Sequence, residues 1–126
     1  MKKILIALGL LTSSIAVPAV MQVQPVIAAA TLSKLGDLSG MRKFVADTLV
    51  LVEAGKTQEA VKRITAYETA WDHNEKKLRK LDSATWRKLD KASDVALSTV
   101  RYPSATPDEM KKDLSDLISV LDNPNL

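Results

Sequence analysis

The chain contains no cysteine, and that absence closes several routes at once. Without thiols there is no disulfide framework, thiolate nucleophile or thiolate metal site, and no lipid attachment at a processed N-terminal cysteine. Histidine is nearly as scarce, with His73 alone in 126 residues. No Ser/His/Asp set, glycine-rich phosphate loop or zinc motif is present, so no residue stands out as a nucleophile. A phosphorelay role for His73 is set aside, because the chain is far too short for a nucleotide-binding catalytic domain. Sustained period-two alternation and hairpin signals such as Asn-Gly are also missing, which argues against a sheet. No apolar run reaches the roughly 20 residues that a membrane-spanning helix needs.

The first thirty residues carry the strongest positive signal. Lys2 and Lys3 follow Met1, and the mostly apolar residues 4–17 come next. Pro18, Gln22, Gln24 and Pro25 break the run, and small residues gather at Ala28, Ala29 and Ala30. A basic n-region, an apolar h-region and an A-x-A-like site in that order make a secretory signal peptide over residues 1–30. Cleavage fits after Ala28 or after Ala30, with a site after Ala19 as a third option. The expected product is periplasmic or secreted, without a transmembrane anchor, and residues 31–126 form its one small domain.

Processing changes the charge balance. The whole chain has 18 basic and 15 acidic residues. Lys2 and Lys3 leave with the signal, so sixteen basic residues face the same fifteen acidic ones, a net of +1. A nearly neutral exported domain lacks the strong basic excess of a nucleic-acid binder, and no nucleic-acid partner is expected.

The remaining pattern is helical. Residues 31–38 look like a short flexible lead-in, with Gly36 and Gly40 disfavouring helix. A first helix is predicted over residues 39–54, capped by Asp37 or Ser39, with Met41, Val45, Thr48, Leu49 and Val52 on its apolar face and Gly55 as its left-handed end. A second helix runs from Thr57, a candidate cap, to about Leu81. Its stripe of Ala60, Val61, Ile64, Tyr67, Trp71, Leu78 and Leu81 is interrupted at Asn74 and Glu75, where a kink or break is expected. Asp82 and Ser83 cap a third helix over residues 84–100, whose inner face reads Trp86, Leu89, Ala92, Ser93, Ala96, Leu97 and Val100. After a loop at Tyr102-Pro103, Thr106-Pro107-Asp108-Glu109 spells a capping box with proline at the first helical position. Met110, Leu114, Leu117, Ile118 and Leu121 follow, until Asp122-Asn123-Pro124 ends the helix. Short connections between four amphipathic helices imply an all-α, antiparallel up-down four-helix bundle. The alternative is a three-helix core with a loosely packed first helix.

Two polar groups are candidate sites. Glu68, Asp72 and Glu75 share one face of the second helix, and Asp90 and Asp94 are one turn apart on the third. Carboxylates converging inside a bundle can hold a metal ion, and these five are the candidate ligands. Against that, His73 points about 100° away from Asp72, and neither glutamate has the histidine three residues on that bundle metal sites use. Ion pairing with Lys76, Arg79 and Lys91 is the simpler use for them. Met41 and Met110 could suggest copper handling, but without a Met-rich run they serve as core filler. No cofactor is expected.

The second group is basic. Lys76, Lys77, Arg79, Lys80, Arg87, Lys88 and Lys91 crowd residues 76–91 against only Asp82 and Asp90. Such a segment can approach anionic lipid or an acidic protein partner. Within it Arg79-Lys80-Leu81-Asp82 recurs as Arg87-Lys88-Leu89-Asp90, an offset too short for a solenoid repeat.

The stretch Glu68-Thr69-Ala70-Trp71-Asp72, then Leu78-Arg79, Trp86-x-x-Leu89-Asp90 and Asp94, resembles a group of small exported helical proteins of Gram-negative bacteria with no assigned activity. It is more faintly similar to the periplasmic helical regions of iron-uptake permeases. These resemblances imply a periplasmic helical domain and little chemistry. The leading expectation is a non-enzymatic accessory or interaction protein with a membrane or periplasmic partner. The alternative is a metal-binding or metal-trafficking bundle.

Overall fold

The computed structural model describes residues 33–125, which form α1 (Ser39–Glu53), α2 (Thr57–Leu81), α3 (Ser83–Arg101) and α4 (Pro107–Asp122). The signal peptide and its cleavage site lie outside the described residues. α1 packs against α2 and α4, and α3 packs against the same two, which leaves α1 and α3 on one diagonal and α2 and α4 on the other. With short turns reversing the chain each time, this is the up-down four-helix bundle. The three-helix alternative is corrected, because α1 places Val45, Thr48 and Val52 fully inside.

The periodicity explains the core. In α2, Ala60, Ile64, Tyr67, Trp71 and Leu78 are buried, a heptad-like stripe that faces the neighbouring helices continuously. No break occurs, and α2 is one continuous helix through Asn74. Trp71 and Leu78 are seven residues apart and share a face, while Asn74 folds its amide back to donate to the Ala70 carbonyl at 2.8 Å. α4 buries Met110, Leu114, Leu117 and Leu121, and each fully buried leucine contributes about 1.5–3 kcal/mol relative to exposure. On α3 the inner face begins one residue earlier, at the buried Thr85, and Trp86 packs against the core from its edge. Trp86 is only partly buried, its ring covered by the Arg79 guanidinium 4.9 Å from the centroid.

The helix ends separate into satisfied caps and plain ones. At the end of α1, Gly55 adopts φ +73°. Its N–H donates to Val52 O at 3.0 Å, and Lys56 N–H donates to Leu51 O at 2.9 Å, the paired bonds of a Schellman turn. The α4 capping box forms in both directions: Glu109 N–H donates to Thr106 Oγ1 at 3.2 Å, and Thr106 N–H donates to Glu109 Oε2 at 2.7 Å. Thr57 does not cap α2; it is already helical, and Lys56 precedes it without a side-chain bond. Neither Asp37 nor Ser39 occupies the α1 cap position, which is Leu38. Asp37 Oδ1 instead accepts from Ser39 N–H at 2.9 Å, which holds its carboxyl below the usual range.

The lead-in is also corrected. Leu35 and Leu38 are both buried in the core. Gly36, at φ +83°, lets the chain reverse with its N–H on Ser33 O at 2.8 Å. That turn lays Leu35 over the end of the bundle where α2 meets α3, with Lys34 Nζ 3.9 Å from Asp82.

Candidate functional site

α2 and α3 are tied together by polar contacts set into their shared interface. The Tyr67 hydroxyl and Ser93 Oγ lie 2.6 Å apart, and Ser93 Oγ donates to Leu89 O at 2.8 Å. Burial is the main reason that the Tyr67 phenol is pushed up to about 12. One turn along, Trp71 Nε1 donates to Asp90 Oδ1 at 2.9 Å, and the Tyr67 and Trp71 rings stack at 6.2 Å. These residues use their polar atoms on each other, which is structural bonding inside a packed interface.

The five candidate metal ligands do not form a ligand group. Among the described residues no cluster of three or more His, Asp or Glu side chains is placed to hold an ion. Glu68 is taken by Arg101, whose guanidinium makes two bonds to it at 2.7 and 3.2 Å and holds its carboxyl below the usual range. Glu75 pairs with Arg79 at 3.2 Å. Asp90 serves Trp71. Asp72 is exposed. Asp94 is pushed up, first by partial desolvation and then by the fields of Asp90, Glu68 and Asp72. The carboxylates therefore share a patch and feel one another without converging. Of the three expected partners only Arg79 forms an ion pair with this set, and Glu68 finds Arg101, 33 residues away in sequence. That pair depends on how α3 lies against α2, which local spacing does not encode. His73 is exposed on α2.

The basic candidates behave differently. The α2–α3 connection is a single extended residue, Asp82, at φ −160° and ψ 105°. Its N–H donates to Leu78 O at 3.2 Å, and its carboxylate accepts from Thr85 N–H at 2.8 Å. This tight corner throws Lys76, Lys77, Arg79, Lys80, Arg87, Lys88 and Lys91 outward on two adjoining helices, and all seven are exposed. Among the described residues, only Arg79 of these seven forms an ion pair. Elsewhere the pattern reverses. Lys34, Arg42, Lys43, Lys56, Arg63, Arg101, Lys111 and Lys112 each hold a carboxylate oxygen at 3.9 Å or less, and Lys62 is the exception.

Residues 76–91 thus carry seven cations against two anions, while the rest of the described chain carries nine against thirteen. At the apex of the corner stands Leu81, 52% exposed. It continues the α2 stripe one step beyond Leu78, the last buried residue of that helix, and stands on the same helix as Lys77 and Lys80. Periodicity alone placed Leu81 in the core. An open groove of about 530 Å³ runs beside the tip, lined by Asp72, Glu75, Lys76, Arg79, Lys80 and Ser83. It is shallow and mixed in charge, without the enclosed apolar walls of a small-molecule site. No helix among the described residues is long and apolar enough to cross a membrane. No protein-family profile, curated protein or solved structure is significantly similar to the chain.

Proposed function

We propose that this chain is an exported, non-catalytic helical accessory protein, periplasmic or secreted, that docks on an acidic partner surface through the basic α2–α3 tip. The N-terminal signal pattern and the resemblance to small exported helical proteins support the address. The observation that carries the docking role is the difference in charge pairing. Surface ion pairs are individually weak, about 0.2–1 kcal/mol, so their absence at the tip costs the fold little. A concentrated set of unneutralised cations is what an acidic partner can use, because it steers encounter and fixes orientation.

The test is salt-dependent retention of the protein on envelope material from its host. Reversing Lys77, Lys80 and Lys88 to glutamate should reduce retention by a factor on the order of a hundred. Reversing Lys56, Lys111 and Lys112 at the other end should leave it nearly unchanged. Equal losses from the two triple variants would remove the tip from any docking role.

A further inference from the structure

We infer that the acidic surface is an anionic lipid bilayer, against which the bundle stands end-on with Leu81 at the headgroup boundary; this rests on the docking role proposed above. Three observations favour lipid over an acidic protein. First, the tip is rich in lysine, with Lys76, Lys77, Lys80, Lys88 and Lys91 against two arginines. Protein–protein interface cores are depleted in lysine and favour arginine and aromatics. Lysine ammonium groups are point charges that need no fixed partner geometry, which suits a fluid field of lipid phosphates. Second, an exposed leucine beside Lys77 and Lys80 on the same helix matches the way peripheral segments bind lipid. The apolar group enters the headgroup boundary while the lysine stems lie along it and their charges stay in water.

Third, the remaining charge is arranged to orient the molecule. The far end sets Glu53, Glu59, Asp108 and Glu109 against Lys56, Lys111 and Lys112, so its charge is nearly balanced. α2 has 25 residues, a length of about 37 Å at 1.5 Å per residue, several times the Debye length of about 8 Å at physiological salt. The leaflet therefore attracts the tip and not the nearly neutral far end, which favours the tip-down orientation. A lysine or arginine held against an anionic leaflet contributes a factor of about five in affinity, so several acting together give measurable, reversible binding.

The test uses the protein recovered from the envelope of an expressing host, with vesicles of phosphatidylglycerol and phosphatidylcholine in equal parts and vesicles of phosphatidylcholine alone. Sedimentation should show binding to the anionic vesicles only, lost at about 0.5 M salt where the Debye length falls to about 4 Å. K77E/K80E/K88E should weaken it by more than about a hundredfold. Because the chain has no cysteine, an environment-sensitive fluorophore can be placed at one site. On Leu81→Cys it should shift to the blue with anionic vesicles, and on Lys112→Cys it should not. Wild-type protein that ignores anionic vesicles, yet is held on envelope through the tip, would overturn the lipid assignment and leave docking on an acidic protein. Vesicle binding indifferent to the triple reversal, or equal shifts at both labelled sites, would overturn the lipid assignment as well. Envelope retention that also ignores the reversal would overturn the docking role itself.

Discussion

The two ends of this bundle are built to different specifications. At the end formed by the α1–α2 turn and the α3–α4 loop, a Schellman turn closes α1 and a reciprocal capping box opens α4. There Lys56, Lys111 and Lys112 are all paired with carboxylates. At the α2–α3 end a single residue reverses the chain, six exposed cations have no ion-pair partner among the described residues, and a leucine is left half outside. The first end pairs most of its charge, while at the second the pairs Lys34–Asp82 and Arg42–Asp122 leave those α2–α3 cations without partners. The proposed docking role thus falls at the pole with the unpaired charge, with the Tyr67–Ser93 and Trp71–Asp90 bonds between the two ends.

That separation can be broken or sharpened by substitution. The largest effect on stability belongs to the middle. Trp71→Ala removes a buried stacked ring and leaves Asp90 without its donor, and it should cost about 3–5 kcal/mol in denaturant unfolding. The triple reversal at Lys77, Lys80 and Lys88 should leave the unfolding midpoint almost where it was. A large loss of stability there would mean the tip is part of the fold's support after all.

Next come the satisfied caps. Gly55→Ala forces a side chain into the left-handed region and should cost about 1–2 kcal/mol. Thr106→Ala breaks the capping box and should cost about 1 kcal/mol. Thermal unfolding checks both, and neither should alter retention on envelope material. A cap variant that lost retention without unfolding would contradict the division of labour.

The smallest effect is a pH-dependent one in the acidic patch. Asp94 has a raised carboxyl in the folded state, so folding favours its protonated form. The associated stability is present below its unfolded pKa and is lost as pH rises through the folded value. Asp94→Asn should therefore stabilise at neutral pH by at most about 0.5 kcal/mol, and the gain should vanish in acid. Glu68 has a lowered carboxyl, so Glu68→Gln should show the opposite sign: a loss at neutral pH that disappears as pH falls through the folded pKa. Melting curves at the two pH values distinguish these signs.

The recurring Arg-Lys-Leu-Asp tetrad shows what sequence could and could not convey. In its second copy Leu89 is fully buried and Asp90 bonds Trp71. In its first copy Leu81 is half exposed and Asp82 is the corner cap. The four residue types are identical, and the difference is position along the rod, which only the three-dimensional end of the bundle decides. Elements with a local cause were legible: the Thr106 box, the Gly55 turn and the heptad stripe of α2. Contacts between helices were not. Arg101 reaching Glu68, Leu35 folding over the end of the bundle, and Thr85 joining Trp86 on the inner face all depend on how one element lies against another. The basic tip was legible as composition, while its lack of ion pairs required the placement of every carboxylate around it.

The proposed docking requires the tip, and no other part of the surface, to meet the partner. Lysine footprinting by acetylation and mass spectrometry, with the protein free and bound to envelope membranes, tests that residue by residue. Protection concentrated on Lys76, Lys77, Lys80, Lys88 and Lys91, with Lys56, Lys62, Lys111 and Lys112 modified as in the free protein, is the expected result. Protection spread evenly over the bundle, or centred on the far end, would contradict it.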